Sequence, residues 1–265
     1  MEQLGYLTST GGIPLYAAYH PPRGNVPAAG VLIAPSLFEE RKSAYSALRR
    51  MAEVLAGAGH PVLRFDYRGS GESGGEGAAR RWTDLGADLE AARAELVRLS
   101  GCQDVALLGL RLGGTLVLQH AERLKAKAVV AIAPVTTGAT QVRLWKMRSK
   151  IRAELTAAAG GQGVSAAAAR PPATLDFDGF DVSALFFEDV AQIDLPKELH
   201  ALPCPTLLLQ VSHRAVPTDE SQRLQAALGP SAALECLRLE PFWDKIDEVN
   251  THGVEAAVLK ALQGG

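Results

Sequence analysis

The chain has 265 residues, of which 47% are hydrophobic and 21% charged, enough for one large domain with a sizeable core and too apolar for general disorder. Lys and Arg total 27 against 29 Asp and Glu, and a formal charge of −2 supplies no basic field for a polyphosphate, so nucleic-acid binding is not expected. Cys102, Cys204 and Cys236 are widely separated and form no C-x-x-C pair, which argues against a disulfide framework and a thiolate metal centre. The opening MEQLGYLTSTGG lacks a basic patch followed by an apolar run, and no stretch approaches about 18 uninterrupted apolar residues. A cytoplasmic protein without a membrane span is expected.

Short apolar runs alternate with helical periods, which predicts an α/β fold around a largely parallel sheet. Residues 3–9 and 14–20 flank Gly11-Gly12 as an opening hairpin, and 29–35 (AGVLIAP) is a buried strand. Tyr45, Leu48, Met51 and Leu55 then recur at helical spacing behind Ser43 as a candidate N-cap, with Gly57 and Gly59 as the stop. Next come a strand at 61–67 and a helix over 84–100 that buries Leu85, Leu89, Leu96 and Val97. The strand 104–108 runs straight into Gly109-Leu110-Arg111-Leu112-Gly113-Gly114, followed by a helix over 115–124 and a strand at 127–134. From about 135 to 201 the alternation stops: a basic helix at 141–155, a low-complexity run at 157–172 read as a linker, a small hairpin at 175–183 and an apolar stretch at 185–190. It resumes with a strand at 205–211, a helix at 219–228, a strand at 232–239 and a last helix over 247–262. The division is therefore 1–134 and 202–265 as two parts of one core, with 135–201 as an inserted lid.

The glycine-rich turn DYRGSGESGG at 66–75 after a buried strand, combined with strand, G-x-x-x-G turn and helix at 109–113, resembles the α/β-hydrolase pattern over almost the whole chain. The resemblance implies an eight-stranded, mostly parallel sheet and places a nucleophile at the middle of G-x-S-x-G, where this chain has Arg111. A guanidinium stays protonated and has no acceptor, so it neither attacks a carbonyl nor serves as a general base. The triad acid implied near SHRAVP is replaced by His213, with Asp219 nearby, and the loop EPFWDK after the last strand has no histidine; His252 comes later, within the final helix. A closer similarity rests on PSLFEERKSAYSALRRMA, DYRGSGES, Trp82-Thr83-Asp84, GLRLGG, DGFDVS and PFW, which together resemble the exosortase-A-associated hydrolase-like proteins of the second type. That resemblance implies a setting of bacterial exopolysaccharide export and protein sorting, and no particular reaction.

The leading expectation is a protein with a degenerate triad that binds an anionic or acyl-bearing small molecule, or a protein partner, under its lid. The pocket candidates are Arg111, Glu39, Glu40, His213 and Ser36, with backbone donors at Leu37 and Leu112; no metal or cofactor is expected. The alternative is an active ester or thioester hydrolase in which Ser36 or a water replaces the nucleophile and His213 and a glutamate act as acid and base. A third reading is a purely structural partner in an assembly. Each residue also has a plainer role: Arg111 as a simple replacement, His213 as a rim histidine, Glu39 and Glu40 as a solvated helix entrance, Phe242 and Trp243 as packing aromatics.

Overall fold

The computed structural model describes the whole chain except residues 25–28, 159–173, 178, 246–249 and 264–265. Its first two strands, β1 (Gln3–Thr8) and β2 (Pro14–His20), pair as the antiparallel hairpin, and β2 continues antiparallel onto β4 (Val62–Phe65). From β4 onward every neighbour is parallel: β3 (Gly30–Ala34), β5 (Val105–Leu110), β6 (Val129–Ile132), β9 (Thr206–Ser212) and β10 (Ala232–Arg238), in the order β1-β2-β4-β3-β5-β6-β9-β10. All residues of β3, β4, β5 and β6 are buried, as strands covered on both faces must be. On one face α1 (Phe38–Gly57) and α8 (His252–Gln263) cover Val31, Ile33, Leu108 and Leu209; on the other α2 (Trp82–Ser100), α3 (Leu112–His120) and α7 (Asp219–Leu228) cover Leu32, Leu107 and Leu208.

Among the boundaries that differ from expectation are three helix starts. Ser43 is not an N-cap: α1 begins at Phe38, so Glu39 and Glu40 occupy its first turn, where carboxylates favour the helix dipole. The helix after the glycine turn starts at Leu112 and ends at His120, because Gly113 and Gly114 are the points of closest approach and belong to the helix itself. The last helix starts at His252, and part of the segment assigned before it, 247–249, lies outside the described residues. The proposed linker at 157–172 lies outside them as well, apart from Ala157 and Ala158, which end a helix.

Between β6 and β9 the chain leaves the sheet through α4 (Gly138–Ala158), the hairpin β7 (Thr174–Phe177) and β8 (Phe180–Ser183), α5 (Ala184–Ala191) and the short α6 (Leu195–Glu198). Its two ends are clipped together, Gly138 N–H donating to Ile193 O at 2.8 Å and Leu195 N–H to Thr136 O at 2.9 Å. A Cβ on Gly138 would stand 1.7 Å from Val190 O, so only glycine fits this neck. The excursion is fastened to the core where Asp189 of α5 accepts two bonds of 2.7 Å from Arg81.

The glycine-rich loop after β4 is held by two carboxylates. Asp66 takes Arg41 of α1 in a fork of 3.0 and 2.6 Å, and a Cβ on Gly71 would lie 2.1 Å from that guanidinium. Asp88 of α2, fully buried, accepts from Ser9 Oγ at 2.6 Å, Arg68 N–H at 2.9 Å and the Arg68 side chain at 2.6 and 3.0 Å. The sequence DYRGSGESGG is therefore tied to α1 and α2 by ion pairs at its first and third residues.

Candidate functional site

The centre of the molecule's upper edge is the turn from β5 to α3. Gly109 and Gly113 make it possible: a Cβ on Gly109 would stand 2.3 Å from Gly113 O, and one on Gly113 would stand 2.3 Å from Ala34 O and 2.4 Å from Pro35 O. Helix, strand end and the loop after β3 thus meet at backbone contact. Arg111, between the two glycines, is held at φ 55°, ψ −119°, a conformation that costs a non-glycine residue about 1–3 kcal/mol. Phe38 (φ 56°) and Ala133 (φ 43°) adopt positive φ as well, so the turn and the two segments that border it, after β3 and after β6, carry strain.

The guanidinium is partly buried, its side chain 18% exposed. Nε–H donates to Glu40 Oε1 at 3.2 Å, one terminal nitrogen to the Ala133 carbonyl at 2.9 Å and the other to Gln141 Oε1 at 3.0 Å, while Trp243 lies beneath it with 5.4 Å between ring centroid and guanidinium carbon. Of the two expected glutamates, Glu40 alone pairs. Burial pushes its carboxyl above the ordinary value, and the Arg111 charge and hydrogen bond pull the other way. Glu39, one residue earlier and 100° round the helix, faces outward and pairs with Lys42 at 3.2 Å.

His213 does not join the group: it is exposed, and no hydrogen bond or ion pair connects it to Arg111 or Glu40 among the described residues. It instead lies near Glu240, whose carboxyl is lowered first by Lys245 and to a smaller degree by His213. The loop after β9 carries it away from the turn. Asp219 and His252 are exposed at the first residues of α7 and α8. Ser36 is fully buried, with no hydrogen-bond partner for its Oγ among the described residues. Leu37 caps α1 and Leu112 opens α3, positions whose backbone N–H has no intrahelical acceptor; both side chains are buried.

Two residues after Ser36, Phe38 sits in a cluster of rings. Phe38 meets Trp145, Phe177, Phe180 and Phe186 edge-on at 5.2–5.9 Å, and Arg80 lies 5.4 Å from Phe38 and 5.2 Å from Phe186. Burial brings the Arg80 guanidinium down to about 10. Sequence reasoning missed Gln141 and the Ala133 carbonyl as partners of Arg111, and assigned Trp243 only to packing. The signal for Trp243 was present in PFW standing where a catalytic histidine loop belongs; Gln141 carried none.

Residues 9–178 match the family Hydrolase_4, described as serine aminopeptidase, S33. The chain belongs to this family. The matched region spans the turn and Arg111. A search of curated proteins gave no match. Among solved structures, Est1E from Butyrivibrio proteoclasticus with ferulic acid bound is similar at 18% identity and TM-score 0.70, covering 98% of this chain and 99% of that one. The α/β hydrolase GrgF from Penicillium sp. sh18 is similar at 16% identity and TM-score 0.71 (99% and 98% covered), and alpha/beta hydrolase domain-containing protein 10 from mouse at 18% and 0.64 (99% of each). At these identities the likeness is one of fold, the α/β-hydrolase fold over its full length.

In this Hydrolase_4 chain the arrangement offers a fixed cation at the strand-to-helix turn, a buried carboxylate beside it and an indole below. Such a group orients an acceptor. It supplies neither a hydroxyl nor an imidazole at the turn.

Proposed function

We propose that this chain is an α/β-hydrolase-fold protein with a degenerate Ser-His-Asp triad, in which Arg111 holds the anionic or acyl-bearing end of a small molecule and residues 135–201 form a lid over it. The observation that carries the reading is the valence of the guanidinium. Among the described residues three of its five N–H groups go to Glu40, Ala133 and Gln141, which leaves two, and Arg111 lines a pocket of about 130 Å³ together with Pro134, Thr136, Leu224 and Leu234. That volume holds on the order of four water molecules, which suits a short acid or the head of a longer one. The motif resemblance to exosortase-A-associated proteins supports a cytoplasmic role beside exopolysaccharide or protein-sorting systems. No helix among the described residues is long and apolar enough to cross a membrane.

The second reading, an active ester or thioester hydrolase, is favoured by fold likeness to the Pyrococcus furiosus esterase PF2001 and to the esterase domain of a Rhodothermus marinus protein. It requires Ser36 or a water as nucleophile, and Ser36 has no exposed surface. The two readings separate experimentally. A fluorophosphonate probe is expected to leave the protein unlabelled, and Arg111→Ser to gain no esterase activity over the parent, because no histidine stands at the turn to take the proton. Stoichiometric labelling of Ser36 would establish the hydrolase reading, and an active Arg111→Ser variant would show that an acid and a base do stand at the turn. Calorimetry with butanoate is expected to show binding that weakens at least about tenfold in Arg111→Gln, as loss of a charged hydrogen-bond pair implies. Equal affinity in the two proteins, or none in either, defeats the Arg111 site.

A further inference from the structure

The helix α4 has two apolar faces, and the core uses one. Val142 and Trp145 are buried at 6% and 4% exposure, whereas Leu144, Met147, Ile151 and Leu155, spaced by three, four and four residues on the opposite side, are 39–66% exposed. Four of the ten large apolar side chains exposed among the described residues lie on this one helix. Arg143 and Lys150 flank the stripe on one side and Arg148 on the other; these and Lys146 are all exposed. In sequence α4 carries five basic residues and one acidic, +4 on a chain of total −2, which leaves −6 for everything else. The helix that carries the apolar stripe thus holds a net positive charge on a net negative chain.

We propose that α4 docks this protein onto an anionic lipid surface, with Leu144, Met147, Ile151 and Leu155 entering the headgroup boundary and the flanking Lys and Arg side chains reaching phosphates. The inference is independent of the ligand assigned to Arg111. Charge complementarity selects the occupant. A second copy of the chain laid stripe to stripe brings basic rims together, whereas a bilayer containing acidic headgroups meets them with opposite charge. Long Lys and Arg stems lie along apolar surface while their charges stay at the water boundary, which fits the spacing of stripe and rim. Ile151 and Leu155 also line the groove that runs down to Glu40 and Trp243, so docking turns the mouth of that groove toward the bilayer.

The experiment is flotation of the full chain with vesicles of phosphatidylcholine alone or with 30 mol% phosphatidylglycerol. Partitioning is expected into the anionic vesicles only. It should fall at least about tenfold in Arg143→Glu/Lys150→Glu, again in Met147→Glu/Ile151→Glu, and on raising salt to about 0.5 M. Unchanged melting curves of both double variants show that the fold is intact, since all four side chains are exposed. Single Arg143→Gln and Lys150→Gln variants give graded losses if either double variant fails to fold. The proposal is overturned by absence of flotation, by equal flotation with neutral vesicles, by insensitivity to the charge reversals, or by a concentration-dependent dimer that Met147→Glu abolishes and that excludes vesicle binding.

Discussion

Arg111→Met is expected to destabilise the protein by about 2–3 kcal/mol at pH 8 and by less than about 1 kcal/mol near pH 5. Burial already holds the Glu40 carboxyl above its ordinary value of 4.5, and Arg111 is the largest of the influences that oppose burial. Without the guanidinium the shift grows. A carboxyl raised in the folded state contributes stability that is complete below the unfolded value near 4.5 and disappears as pH rises through the folded value, so the loss must widen with pH. Glu40→Gln in the Arg111→Met background is expected to flatten the pH dependence and recover stability at pH 8, because it removes the stranded charge. Urea denaturation of the four proteins of the cycle at both pH values measures this. A loss that is equal at pH 5 and 8 and additive with Glu40→Gln would show that the two side chains do not share one electrostatic site.

Asp88→Ala is expected to cost about 3–5 kcal/mol. The carboxylate has no exposed surface and accepts bonds from Ser9, the Arg68 backbone and the Arg68 side chain, so its removal strands the backbone N–H and the Nε–H of a guanidinium that is 11% exposed and keeps Ser9, Thr10 and Asp84 as partners. Asp84, 3.3 Å from another nitrogen of Arg68, is one-third exposed and cannot reach the same donors. Urea midpoints of Asp88→Ala and Asp84→Ala should therefore differ severalfold in their displacement. Equal displacements would mean that Arg68 is held by its surroundings as a whole and that Asp88 has no special place in the loop.

Both effects concern partners separated widely along the chain, and this separates what is legible in the residues from what is not. Strands such as GVLIA and VALLGL announce themselves because a strand buried on both faces must be apolar at every position. The G-x-x-x-G turn is legible for a similar reason: only glycine tolerates a 2.3 Å approach of backbone to a would-be Cβ at Gly109 and Gly113. The cap of α1 lies six residues before the expected one, because Ser43 has the chemistry of a cap while the chain begins its helix at an apolar residue, Phe38, whose ring is seated against Trp145 and Phe186. Local propensity yielded there to tertiary packing.

The sequence by itself determined the α/β layering, the presence of an arginine at the turn and the lack of a histidine in the loop after the last strand, because each depends on residue type and order along a short stretch. Only the tertiary structure decided that Arg111 takes Glu40 and not Glu39, that Gln141 and the Ala133 carbonyl occupy two more of its donors, and that His213 stands apart near Glu240. Adjacent glutamates on one helix are chemically identical and differ only in the direction a 100° step gives them. Which of them meets a guanidinium 71 residues away is set by how α1, β5, β6 and α4 pack, a sum of many contacts that no local pattern encodes.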